Sequence, residues 1–248
     1  MLNIEGDGMA ICRIETKVKN RKKTIYVDDK DSSMHPFKEF RTNKDEKLQE
    51  VYDKNVERKI NLILGCSGSG KSVYACNLAN QYRKQFPDND IYLFSAVKED
   101  SSIDSVKGLR RITLSKFMAD DEIGVEDFDN SLVIFDDCDT LPNKEEHKKV
   151  MGLFDRIAQE GRHHKISCIM TSHLACNGAK TKIALAEAHS ITFFCKTMQG
   201  RSLKYLLDNY MGLDKEQQKK LKGLDSRAVT WMKTYPQVIL SEHEVYVL

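Results

Sequence analysis

The sequence has no apolar run approaching 18 residues and no apolar segment near its first residues. Neither a membrane-spanning helix nor a secretory leader is therefore supported. It has no CxxC pair, and its seven cysteines are an odd number, several of them inside apolar, strand-like runs. That usage argues against a disulfide scaffold and for buried free thiols in a reducing compartment. His163, His164, His173 and Cys168 cluster loosely but lack metal-finger spacing. Repeats and low-complexity tracts are missing as well. A large charge of one sign is also absent: 39 basic and 37 acidic residues leave +2. The whole-chain charge thus does not mark a nucleic-acid binder, although residues 13–23 (RIETKVKNRKK) are locally basic.

What is present is ordinary for one large domain: 248 residues, 40% hydrophobic and 31% charged. Residues 9–28 alternate as two strands around a basic turn, which predicts a hairpin. A charged stretch over 43–59 reads as partly helical. Residues 1–58 are expected to be an N-terminal extension, adding strands to a sheet edge, and 59–248 the main domain. From residue 59 strand and helix signals alternate. KINLILG (59–65), DIYLFSAV (90–97), SLVIFDD (131–137), ISCIMTSH (166–173) and SITFFCK (190–196) read as strands, the most apolar of them covered on both faces. Helices are expected from Lys71 to about Phe86, closed by Pro87, and from Asn143 to about Glu160, closed by Gly161. The tail, 225–248, reads as short antiparallel strands. The fold class is α/β, three-layered, with a mostly parallel central sheet and antiparallel strands added at both termini.

The glycines of "GCSGSGKS" are too close together to serve packing, because glycine weakens any strand or helix it sits in. Gly65, Cys66, Ser67, Gly68, Ser69, Gly70, Lys71 and Ser72 match G-x-x-x-x-G-K-S without a mismatch, after a strand and before a helix. Such a loop curls its backbone N–H groups around phosphates at a helix N-terminus. Lys71 is expected to reach the β- and γ-phosphates and Ser72 to ligate Mg²⁺. "LVIFDDCD" then delivers Asp136 to the crevice end of a strand as a Walker-B-type magnesium carboxylate. Asp137, directly after it, is placed to orient or deprotonate the attacking water. Guanine specificity needs N-K-x-D after the loop, and neither "NKDE" nor "NKEE" supplies it. ATP is the expected nucleotide.

With "LILGCSGSGKS", "LVIFDDCD" and "GRHHKISCIMTSH" (161–173), the chain resembles the FtsK–HerA group of P-loop ATPases. Within that group it is most similar to the poxvirus-type genome-packaging ATPases of large DNA viruses and virophages. The resemblance spans roughly 59–200 and implies a sheet with the 166–173 strand inserted between the two Walker strands. It implies a ring-forming ATPase, pentameric or hexameric, that drives double-stranded DNA into a preformed capsid with capsid or portal-vertex proteins as partners. The expected location is the host cytoplasm, at a viral factory, or the virion. By the same resemblance Arg162 reaches a neighbour's γ-phosphate, and His173 stands where the group often has a glutamine sensor, with Ser172 as the alternative. A small nucleotide kinase and a nucleotide-gated scaffold with little hydrolysis are the competing readings. For DNA contact the basic candidates are Lys107, Arg110 and Arg111, Lys180 and Lys182, and the 215–222 run.

Overall fold

The structure is a computed structural model that describes the chain apart from residues 17–22, 31, 32, 174, 176–178 and 199. The basic turn at 17–22 and Cys176 lie outside the described residues. The chain divides into two compact units, one formed by Met1–Asn55 together with Ser190–Leu248 and the other by Val56–His189.

The first unit begins with β1 (Leu2–Asn3), β2 (Met9–Glu15), β3 (Thr24–Val27), β4 (Glu39–Arg41) and β5 (Lys47–Glu50). Strands β1, β3, β2 and β5 pair antiparallel in that order, so β2 and β3 form the expected hairpin. The helix expected within 43–59 is absent among the described residues. Residues 47–50 are instead a strand in which Leu48 and Glu50 are buried and Lys47 and Gln49 are not, the period of two of a strand.

The second unit runs through β6 (Ile60–Leu64), α1 (Lys71–Gln85), β7 (Ile91–Ser95), β8 (Leu109–Arg111), α2 (Leu114–Ala119), β9 (Leu132–Asp136), α3 (Lys144–Glu160), β10 (Ser167–Ser172) and α4 (Ala179–Glu187). Its five strands are all parallel, in the order β6-β10-β9-β7-β8. The 167–172 strand is thus inserted between the two Walker strands, as expected. Every residue of β6, β9 and β10 is buried, which requires cover on both faces and makes the unit three-layered. Helix α1 packs on β6, β10 and β9, while α4 packs on β6 and α3. A ladder of aromatics fills the space under α3. Phe94 stacks on Phe135 at 5.3 Å, and Phe135 meets Phe154 edge-on at 5.4 Å.

Two local features set the ends of α3. The Asn143 carboxamide oxygen accepts from the N–H groups of Glu145 and Glu146, which satisfies donors that the first turn leaves open. At the other end a Cβ on Gly161 would stand 2.5 Å from the Ile157 carbonyl oxygen, so only glycine lets the chain leave there. Arg58 then donates to the carbonyls of Ile157, Ala158 and Ile166, pinning the helix end to the start of β10.

The chain closes the first unit with β11 (Ser190–Phe193), α5 (Arg201–Tyr205), α6 (Lys215–Lys222), β12 (Val229–Met232), β13 (Val238–Leu240) and β14 (Glu244–Val247). These strands pair antiparallel in succession, and β4 completes the set beside β14. Leu2, Ile11, Ile25 and Leu48 share one apolar cluster with Met232, Val238, Leu240 and Val245, so the terminal segments form a common core. Cys12, Cys76, Cys138 and Cys168 are buried free thiols, whereas Cys66 is exposed. Burial pushes the thiols of Cys12 and Cys138 far up, and that of Cys168 to about 12.

Candidate nucleotide-hydrolysis site

Parallel strands present their C-terminal ends on one edge, and the site is assembled there. β6 ends at Leu64 and releases the loop Gly65–Gly70. Gly68 and Gly70 hold φ of 73° and 111°, a left-handed region that side chains with a Cβ rarely adopt. Those two turns bend the loop so that α1 starts at Lys71. The neighbouring β9 ends at Asp136, and β10, between the two, ends at Ser172.

Lys71 is buried, with 5% of its side chain accessible. Its ammonium lies 3.5 Å from the Cys66 carbonyl, from Asp137 Oδ1 and from His173 Nδ1. His173 Nε2 is 3.0 Å from Asp137 Oδ2, so the histidine bridges the acid and the lysine. The structure therefore brings together three residues that stand far apart in sequence: Lys71, Asp137 and His173. Asp137 adopts φ 50°, unusual for a residue with a side chain, which turns its carboxylate away from the strand direction and toward Lys71.

Asp136 is buried, its carboxylate accepting from Ser95 Oγ at 3.2 Å and from Thr171 Oγ1 at 2.9 Å. Burial raises its pKa, and the charges of Asp137 and Asp100 push the same way against the Thr171 hydrogen bond. Thr171 is fully buried, and its hydroxyl also accepts from the Asp137 N–H at 2.8 Å and lies 3.1 Å from Asp137 Oδ1. One hydroxyl thus holds both acids. Ser172, the alternative sensor, donates to Asp139 Oδ2 at 2.6 Å.

Ser95, Thr171 and Asp100 were not legible as site residues. Asp100 follows β7, and its carboxylate takes hydrogen bonds from the Ser72 hydroxyl and from the backbone of Ser102 and Ile103. Burial opposes its ionisation, yet those donors together hold its carboxyl below the usual range. The only sequence signal was an acid shortly after a buried strand.

Arg162 stands apart. It is exposed, in the turn between α3 and β10. That turn is at the N-terminal edge of the parallel strands, a strand length of about five residues, or roughly 17 Å, from the loop edge. Several basic candidates for DNA contact are engaged within their own unit. Arg110 pairs with Asp90 at 2.8 Å, Arg111 with Asp104 at 2.7 Å, and Lys220 with Glu39 at 2.6 Å while sitting 3.9 Å over the Tyr246 ring.

The oxygen donors suit a magnesium ion: a serine hydroxyl at the start of a helix, a buried carboxylate at the end of β9 and a further carboxylate on the serine. Among the described residues no group of three or more His, Cys, Asp or Glu is arranged to hold a metal unaided. A P-loop site does not need one, because the nucleotide itself brings oxygen ligands.

No protein-family model matches the chain. It is 36% identical over 194 residues to the uncharacterised protein V3 of the Sputnik virophage, an alignment that covers 77% of this chain and 78% of that protein. The chain belongs to that virophage protein's family. Among solved structures it is similar to the DNA-packaging ATPase B204 of Sulfolobus turreted icosahedral virus. The TM-score is 0.52 at 16% identity, over 75% of this chain and 98% of that one. It is also similar to the cytoplasmic domain of the Thermomonospora curvata type VII secretion ATPase EccC, with TM-score 0.52 and 11% identity over 82% of this chain and 28% of that one. The fold is the one these two ATPases share. No described helix is long and apolar enough to cross a membrane.

Proposed function

We propose that this virophage-family protein is an ATP-hydrolysing motor that moves double-stranded DNA into a viral capsid. The observation that carries the catalytic part is the Asp137 carboxylate, 3.5 Å from a buried P-loop lysine and hydrogen-bonded to His173. Lys71 binds the β- and γ-phosphates. Asp137 takes the proton of a water whose oxygen attacks the γ-phosphorus, and ADP departs as the β–γ bridge breaks. His173 holds the Asp137 carboxylate in register and reports on the γ-phosphate through Lys71. Ser72 and Asp136 would hold the magnesium ion, which when bound neutralises charge on the phosphate oxygens.

Arg162, remote from its own loop, would serve the site of a neighbouring subunit, which makes the working form a ring of five or six chains. The motor part rests on the fold shared with a packaging ATPase and on the virophage relative. Residues 1–58 would then be an extension to the ATPase domain, and the motor would work in the host cytoplasm with capsid or portal-vertex proteins as partners.

The test is steady-state ATP hydrolysis with and without double-stranded DNA. Hydrolysis stimulated by DNA of any sequence is expected, in a salt-sensitive manner, because a packaging motor grips backbone phosphates. Phosphate transfer to a nucleoside monophosphate, or tight ATP binding with no turnover under either condition, would overturn the reading.

A further inference from the structure

Asp136 does not take the Ser72 hydroxyl. Its carboxylate is held by Ser95 and Thr171, while the Ser72 side chain hydrogen-bonds to Asp100. Asp100 in turn is fixed from two sides. Its Oδ1 accepts from the Ser102 N–H at 2.8 Å, its backbone N–H donates to Asp104 Oδ2 at 2.8 Å, and Asp104 is clamped by Arg111 at 2.7 Å. The loop also touches α1 directly, through Ser105 Oγ against Cys76 Sγ at 3.5 Å. A hydroxyl that gives its proton to a fixed carboxylate keeps its lone pairs turned the other way. That is how outer partners orient the ligands of a metal.

We propose that Asp100 is a third acidic positioning residue of this site, orienting Ser72 and setting how strongly nucleotide binding depends on a divalent cation. The inference rests on the P-loop reading of Gly65–Ser72. It goes beyond that reading in dividing the work: Asp136 and Ser72 are the ligands, and Asp100 governs the affinity of the ion through Ser72. Three carboxylates (Asp100, Asp136 and Asp137) also repel a triphosphate that arrives without a cation. The same geometry therefore makes the site discriminate against metal-free nucleotide.

The experiment is a fluorescence titration of the full chain with a fluorescent ATP analogue, at a series of Mg²⁺ concentrations and in EDTA. Asp100→Asn should raise the Mg²⁺ concentration for half-maximal binding by about tenfold or more, the usual effect of losing an outer partner. Binding in EDTA should be unchanged or tighter, which a merely damaged loop would not give. Asp104→Asn, whose amide oxygen still accepts from the Asp100 N–H and which does not touch Ser72, should leave the Mg²⁺ dependence alone. An unchanged Mg²⁺ midpoint in Asp100→Asn, or an equal shift in Asp104→Asn, overturns the role of Asp100. If Asp100→Asn does not fold, Asp100→Ser is judged by the same two criteria. A wild-type chain that binds no analogue with Mg²⁺ present refutes the nucleotide site itself, an outcome distinct from failure of Asp100 alone.

Discussion

Replacing Thr171 by Val keeps the shape of the side chain and removes one hydroxyl, so it isolates the group that holds both acids. That hydroxyl accepts from the Asp137 N–H at 2.8 Å and sits 2.9 Å from Asp136 Oδ1 in a fully buried position. The valine leaves the half-buried Asp137 N–H without its partner, at about 1 kcal/mol, and deprives a buried carboxylate of a donor, at about 2 kcal/mol. Taking about 3 kcal/mol in total, and roughly 2–4 °C per kcal/mol for a chain of this size, the melting temperature should fall by about 6–12 °C. Turnover should fall further than stability explains, because Asp137 keeps its φ of 50° only while its N–H is held. A loss of about 10–100-fold in kcat is expected, with ATP binding kept through Lys71. Thr171→Ser is the control. It loses a buried methyl, about 1 kcal/mol of stability, but restores the hydroxyl and with it turnover. Melting curves and steady-state ATPase rates on the three proteins decide the matter. If Thr171→Val melted and turned over like wild type, the hydroxyl would not be what positions Asp136 and Asp137.

Lys71→Ala should lose ATP binding altogether, measured by equilibrium titration, since the phosphates lose their buried cation. Asp137→Asn should bind ATP normally but turn over ~10²–10⁴-fold more slowly, the usual loss for a general base; binding lost together with turnover would make Asp137 structural. Asp136→Asn should stabilise the protein in the absence of nucleotide. A carboxyl whose folded pKa is raised favours folding while protonated, and that stability is lost as pH rises from the unfolded pKa through the folded one. The gain in melting temperature should therefore be present at pH 7 and vanish in acid, which a pH series of melts reads directly. Arg162→Ala should bind ATP and be nearly inactive as a ring. Mixed with Lys71→Ala it should recover part of the rate, because some interfaces then carry both functional halves; no recovery in verified mixed rings would assign Arg162 another role.

The parts of this molecule that were readable in the sequence share one property: their cause lies within a few residues of their effect. Gly68 and Gly70 stand out because a left-handed turn needs glycine wherever the chain goes next. The buried strands β6, β9 and β10 are continuous apolar runs because cover on both faces leaves no room for alternation. Lys71, Ser72, Asp136 and Asp137 follow from strand ends and spacing. What the local sequence does not mark depends on partners distant in the chain. The segment 47–50 looks helical by charge, yet it is a strand because β2 offers it a register in which Leu48 meets Ile14 and Glu50 meets Cys12. Nothing near Thr171 marks it as more than a polar position in a strand. It matters because β10 lies beside β9, which sets its hydroxyl against Asp136 and Asp137. Asp100 is similar: an acid in a polar loop is ordinarily solvated, and this one is distinguished only by the serine it meets 28 positions earlier. The sequence motif names the glycines, the lysine and the acids at the strand ends. The groups that aim them come from neighbouring strands, and so the supporting residues of such a site become visible only once strand order is known.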